Sequence, residues 1–134
     1  MKSNERFAQL ADDARLEKTV AALQANGLNA MVVANGQAAK QKALELIPAG
    51  AEVFTMTSQT IEQVGLAKEL NESGQYVSVR ERLTAMDRKT QAKDMNALGA
   101  VPDWTVGSVH AVTEDGHVFI ASNTGSQLGA YAYG

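Results

Sequence analysis

Apolar residues near the start of the chain recur at three- and four-residue steps: Phe7, Leu10 and Ala14, then Leu16, Val20 and Leu23, separated by charged positions. That spacing predicts an amphipathic helix from Asn4 to Ala25, with Gly27 as its C-terminal stop. The next run, Ala30-Met31-Val32-Val33-Ala34, is short and apolar without alternation, which suits a strand covered on both faces as in a parallel sheet. Asn35-Gly36 turns the chain, and a second helix from Gln37 carries Ala39, Ala43, Leu44 and Ile47 on one face until Pro48 and Gly50 break it. The unit then repeats. Ala51 to Met56 reads as a second buried strand, Thr57-Ser58-Gln59-Thr60 as the turn, and Ile61 to Glu72 as a helix with Ile61, Val64, Ala67 and Leu70 inward. Gly74 closes that helix, Tyr76 to Val79 reads as a third short strand, and Glu81 to Leu98 as a polar, charge-mixed helix.

Past Gly99 the chain changes character, holding Asp103, Glu114 and Asp115 but no Lys or Arg. Trp104 to Thr113 and His117 to Ser122 are rich in β-branched and aromatic residues, and Asp115-Gly116 between them predicts a two-residue hairpin turn. Asn123-Thr124-Gly125-Ser126-Gln127 reads as a polar glycine turn feeding a short helix. The alternation of strands and helices predicts an α/β fold, a mostly parallel sheet flanked by helices, with a C-terminal β-hairpin. No Pro/Ser/Gly linker interrupts it, so residues 1–134 are expected to form one domain, opened by an N-terminal helix within residues 1–27.

Composition narrows the function classes. With 12 Lys plus Arg against 15 Asp plus Glu the formal charge is −3, so nucleic-acid binding loses its usual electrostatic driver. The absence of cysteine excludes disulfides, thiolate-ligated zinc, cysteine nucleophiles and iron–sulfur ligation, and no cofactor is expected in this chain. The N-terminus lacks the apolar core of a signal peptide and no apolar stretch could span a bilayer, so a cytoplasmic protein without a membrane partner is the default expectation.

The one metal-like pattern is His110, Glu114 and His117. A two-residue turn at Asp115-Gly116 would set Glu114 opposite His117 and leave His110 roughly 13 Å up its strand, at about 3.3 Å per residue, beyond the reach of a single ion. Val109, Ala111, Val118 and Ile120 would then share the apolar face, and Glu114–His117 would be a cross-strand surface pair. Thr57, Ser58 and Thr60 place hydroxyls and free N–H groups between a strand and a helix, where open α/β sheets gather anionic ligands. Structural capping produces the same pattern. Asn35-Gly36 and Asn123 to Ser126 are two further polar turns that could join it in one strand-end cleft for a small-molecule anion. Neither a lysine-containing P-loop nor a three-glycine dinucleotide fingerprint is present. Arg80, Arg82, Arg88, Lys89 and Lys93 gather mid-chain, but Glu81, Asp87 and Asp94 are interleaved, which predicts a solvated helix face.

The stretch Gly107-Ser108-Val109-His110-Ala111-Val112-Thr113-Glu114-Asp115-Gly116, followed by Asn123-Thr124-Gly125-Ser126-Gln127, resembles the LUD domain of lactate utilization protein C and its relatives. The Ser/Thr turn at Thr57 to Thr60, Gly65 in the following helix and Asp103 fall in the same order; the likeness is more specific over Ala51 to Gly134 than before it. The resemblance implies a NagB/RpiA/CoA-transferase-like fold and a bacterial cytoplasmic role in oxidising L-lactate to pyruvate beside separate iron–sulfur subunits. It also implies a candidate pocket of Ser58, Thr60, Thr124, Gly125, Ser126 and Gln127, with Glu114 as the candidate catalytic group. Relatives continue past a Tyr-Gly like Tyr133-Gly134 into a further strand and helix, so a shortened or cut chain is expected; an unpaired strand edge would then favour self-association. The alternative function is a small-molecule enzyme or binder of the same fold, acting on a phosphorylated sugar or an acyl-CoA-type ligand.

Overall fold

The computed structural model describes residues 9–122, 125 and 127–133, which divide into two compact units. One unit contains residues up to Val32 together with Val109–Ile120. It opens with helix α1 (Asp13–Ala25), which starts later than the periodicity from Asn4 predicts. Asp12 sets that start: its carboxylate accepts the Arg15 N–H at 2.9 Å, the position of a helix N-cap. The earlier part of the predicted helix, residues 4–8, lies outside the described residues.

The other unit contains Val33–Ser108 and Ala121–Gly134, and here the α/β pattern is realised. Helix α2 (Gly36–Leu46) follows Asn35, whose side chain accepts the Ala38 N–H at 3.0 Å, and ends before Pro48. Strand β1 (Glu52–Thr55) leads through α3 (Gln59–Gln63) and α4 (Leu66–Glu72) to β2 (Val77–Ser78). The chain continues through α5 (Val79–Ala85) and α6 (Arg88–Ala100) to β3 (Trp104–Val106). Both β2 and β3 pair parallel to β1, giving the order β2-β1-β3. In the first unit β4 (Ala111–Val112) and β5 (Val118–Phe119) form the antiparallel hairpin, and in the second α7 (Leu128–Tyr133) ends the described chain. No helix of the described residues is long and apolar enough to cross a membrane.

Strand β1 is buried on both faces. Val53 packs with Ile47, Ile61, Leu66, Ala67 and Leu70, while Phe54 and Met56 pack with Val79 and Ala130. Successive side chains of a strand point to opposite faces, so α3 and α4 cover one side of the sheet and α5 and α7 the other.

Four expectations need correction. No strand forms at residues 30–34: among the described residues the parallel sheet holds β2, β1 and β3 alone, and Met31, Val32 and Val33 stay exposed, without the cover on both faces that a buried strand requires. The predicted helix from Ile61 to Glu72 divides at Gly65, whose φ of +70° an L side chain adopts only under strain, and the one from Glu81 to Leu98 divides where Asp87 caps α6. The predicted strand Trp104 to Thr113 divides at Gly107, where a Cβ would lie 2.9 Å from Met56 Sδ. Its first part joins the parallel sheet and only its second part joins the hairpin.

The hairpin turn is also one residue longer than predicted. Thr113 N–H donates to the His117 carbonyl at 3.0 Å and Gly116 N–H to the Thr113 carbonyl at 3.0 Å, with Gly116 at φ +81°. The loop is therefore Glu114-Asp115-Gly116, a turn closed by a left-handed glycine. Ala111 faces Phe119 and Val112 faces Val118, so the shift moves Ala111 to the opposite face from Val118. Glu114 is freed from any cross-strand pairing with His117.

Replacing Leu70, 1% exposed, by alanine is expected to lower stability by about 2–5 kcal/mol in chemical denaturation followed by circular dichroism.

Candidate functional site

Strands β1 and β3 remain paired through their C-terminal ends, where the Met56 N–H donates to the Val106 carbonyl at 2.8 Å. Open α/β sheets bind ligands at the C-terminal ends of their strands. The residues found there are Ser58, after β1, and Ser108, after β3; Ser58 Oγ donates to Ser108 Oγ at 2.8 Å. Ser58 is buried, caps α3 by accepting the Ile61 N–H at 3.4 Å, and has Thr60 exposed two residues later. Tyr131 of α7 donates its hydroxyl to the Ser108 carbonyl at 3.0 Å, and partial burial raises its pKa above the ordinary phenol value.

Beside this point lies a buried polar network. Thr55 ends β1 at 1% exposure, and its hydroxyl meets the Asn71 amide, 3.0 Å from Nδ2 and 3.1 Å from Oδ1. Ser78, ending β2, donates to Asn71 Oδ1 at 2.8 Å and accepts the Glu81 N–H at 3.1 Å as the cap of α5. Arg80 donates to the Thr55 carbonyl, and its guanidinium carbon stands 5.3 Å from the centroid of the Phe54 ring. It is only partly exposed, so it is not part of the wholly solvated face predicted for the mid-chain cations. Arg82 does face solvent and pairs with Glu52.

Arg80 and Arg88 line a cleft of about 710 Å³ on the Phe54 side of the sheet, bounded by α5, α6 and α7. Gly125, one of the residues selected from the sequence, lines the same cleft, and its N–H donates to Ser122 Oγ at 3.0 Å. Gln127 is half-buried and its carbonyl accepts the Tyr131 N–H at 3.3 Å. Thr124 and Ser126 lie outside the described residues, as does Asn123.

The description "LUD domain" matches this chain over residues 16–134. The chain belongs to the LUD-domain family. No curated protein and no solved structure matched it.

Glu114 of this LUD domain lies in the unit formed by α1 and the hairpin, on the exposed glycine-closed loop. Lys18 Nζ donates to its carboxylate at 2.8 Å and Arg15 Nε stands 3.5 Å away. The Lys18 hydrogen bond, followed by the Lys18 charge, holds the carboxyl below its ordinary pKa. A carboxylate so held accepts hydrogen bonds and is a poor proton donor near neutrality. His117 Nδ1 sits 3.1 Å from Asp115, whose pKa is lowered first by the Thr113 hydroxyl and then by His117.

Sequence reasoning overlooked Thr55, Asn71 and Ser78. Their signal was a polar residue ending each of two strands, and Asn71 could not be paired with them before the helix was placed. Removing the amide in Asn71→Ala leaves the Thr55 hydroxyl without a partner and is expected to cost about 1–3 kcal/mol in denaturation. For Glu114 the depressed pKa means that the Lys18 contact stabilises the fold above the unfolded-state pKa and is lost as pH falls through the lower folded value. A carboxyl titration by NMR is expected to show a higher Glu114 midpoint in Lys18→Gln than in the unchanged protein.

Proposed function

We propose that this LUD domain serves L-lactate utilization as a subunit or accessory protein that carries no iron–sulfur cluster and acts through protein partners in the oxidation of L-lactate to pyruvate. The observation that carries this reading is the family match from residue 16 to residue 134. A chain without cysteine supplies no thiolate for a cluster, so electron transfer in such a system falls to separate iron–sulfur subunits. The hydroxyls beyond the C-terminal ends of β1 and β3 are engaged with one another and with the backbone, an arrangement suited to holding two loops together. Glu114, held ionised on an exposed loop, is suited to a polar contact with a partner surface. A bacterial cytoplasm is the compartment this role requires.

Deleting the gene is expected to abolish growth on L-lactate as sole carbon source while leaving growth on pyruvate intact, and the tagged protein is expected to co-purify with iron–sulfur subunits. Unchanged growth on L-lactate would refute the assignment.

A further inference from the structure

The cleft on the Phe54 side of the sheet carries an unbalanced charge. Among the described residues its lining includes Arg80 and Arg88 and no Asp, Glu or His, although the chain as a whole is acidic. Among the described residues neither arginine forms an ion pair. Asp87, next to Arg88 in the chain, directs one carboxylate oxygen to the Lys89 N–H at 3.0 Å and the other to the Thr90 hydroxyl at 3.0 Å. The cleft on the α2 and α4 face behaves differently: Lys40 there is matched by Glu69 at 3.1 Å.

The two guanidinium groups are held differently. Arg80 is fixed by the Thr55 carbonyl and by its stacking on Phe54, so its orientation is set before any ligand arrives. Arg88 projects from the first turn of α6, which is kinked at Gln91, and makes no side-chain hydrogen bond to another described residue. The same cleft is lined by the apolar side chains of Phe54, Leu83 and Met95 and by the neutral polar ones of Thr84 and Asn96. At Gly129, which also lines the cleft, the nearest atom to the place of a Cβ is the Ala100 Cβ at 3.5 Å. A volume of about 710 Å³ lies in the range of organic-ligand sites, and a three-carbon acid would leave most of it empty.

We propose that this cleft binds an organic phosphate, its dianionic head shared by Arg80 and Arg88 and its apolar body against Phe54, Leu83 and Met95. Guanidinium donors match phosphate oxygens in geometry, and two uncompensated cations match a dianion in charge. The phosphorylated-ligand reading of the sequence thus returns at a different place from the Ser58 turn. It rests on the cleft alone and is independent of any role in lactate utilization.

The test uses three probes on the whole protein: phenyl phosphate, benzoate with the same ring and one charge, and inorganic phosphate without the ring. Phenyl phosphate is expected to bind most tightly and to shift the Gly99 and Gly129 amide signals in NMR titration. Arg88→Gln, chosen because its side chain supports no other part of the fold, is expected to weaken that binding about tenfold, the loss of one charge-assisted contact. Lys40→Gln is expected to leave it unchanged. The proposal is overturned by no shift at about 10 mM phenyl phosphate, well above ordinary ligand affinities. It is equally overturned by binding of benzoate or bare phosphate as tight as that of phenyl phosphate, or by affinity indifferent to Arg88→Gln.

Discussion

The burial of β1 on both faces, with both edges paired, governs the larger unit. Val53 and Phe54 are consecutive residues packed into two different clusters, so one short strand joins both halves of the hydrophobic core. A strand in that position has no solvent with which to satisfy a polar side chain. Thr55 at its end therefore requires Asn71, and Asn71 in turn engages Ser78 at the end of the neighbouring strand. The described residues contain no buried side-chain nitrogen or oxygen without a partner, the condition under which a polar network is tolerated in a core.

The same strand separates two chemical environments. On the side of α3 and α4 the polar groups near β1 are neutral hydroxyls and an amide that satisfy one another. On the side of α5 to α7 a fixed arginine stacks on Phe54 and a second arginine lines the same cleft. The contrast arises from strand alternation: Thr55 faces the amide of α4, whereas the Phe54 ring one residue earlier turns toward α5 and receives the cation. Self-satisfied groups suit structural closure, and unpaired cations beside apolar surface suit an incoming anion.

In the smaller unit the decisive element is one glycine. Gly116 takes a left-handed conformation and packs so closely on α1 that a Cβ would fall 2.7 Å from the Ala22 backbone, while Asn26 donates to the Gly116 carbonyl at 3.1 Å. This fixes the three-residue loop, and with it the register of the hairpin and the presentation of Glu114 to Lys18. A two-residue turn would have directed the same carboxylate toward His117.

The sequence by itself determined the α/β class, the helix α2, the buried strand around Val53, the hairpin and the family, because apolar periodicity, turn residues and a contiguous motif are local properties of a chain. Ser58 was legible as a cap and Asn35 as a turn residue for the same reason. Only the tertiary structure decided that residues 30–34 form no strand, since pairing and cover on both faces come from segments distant in the chain. It alone assigned Trp104–Val106 to the parallel sheet, joined Ser58 to Ser108 across fifty residues, and placed Arg80 and Arg88 in one cleft. A cation on a helix reads the same in sequence whether it faces water or an aromatic ring; the packing of the sheet beneath it determines which.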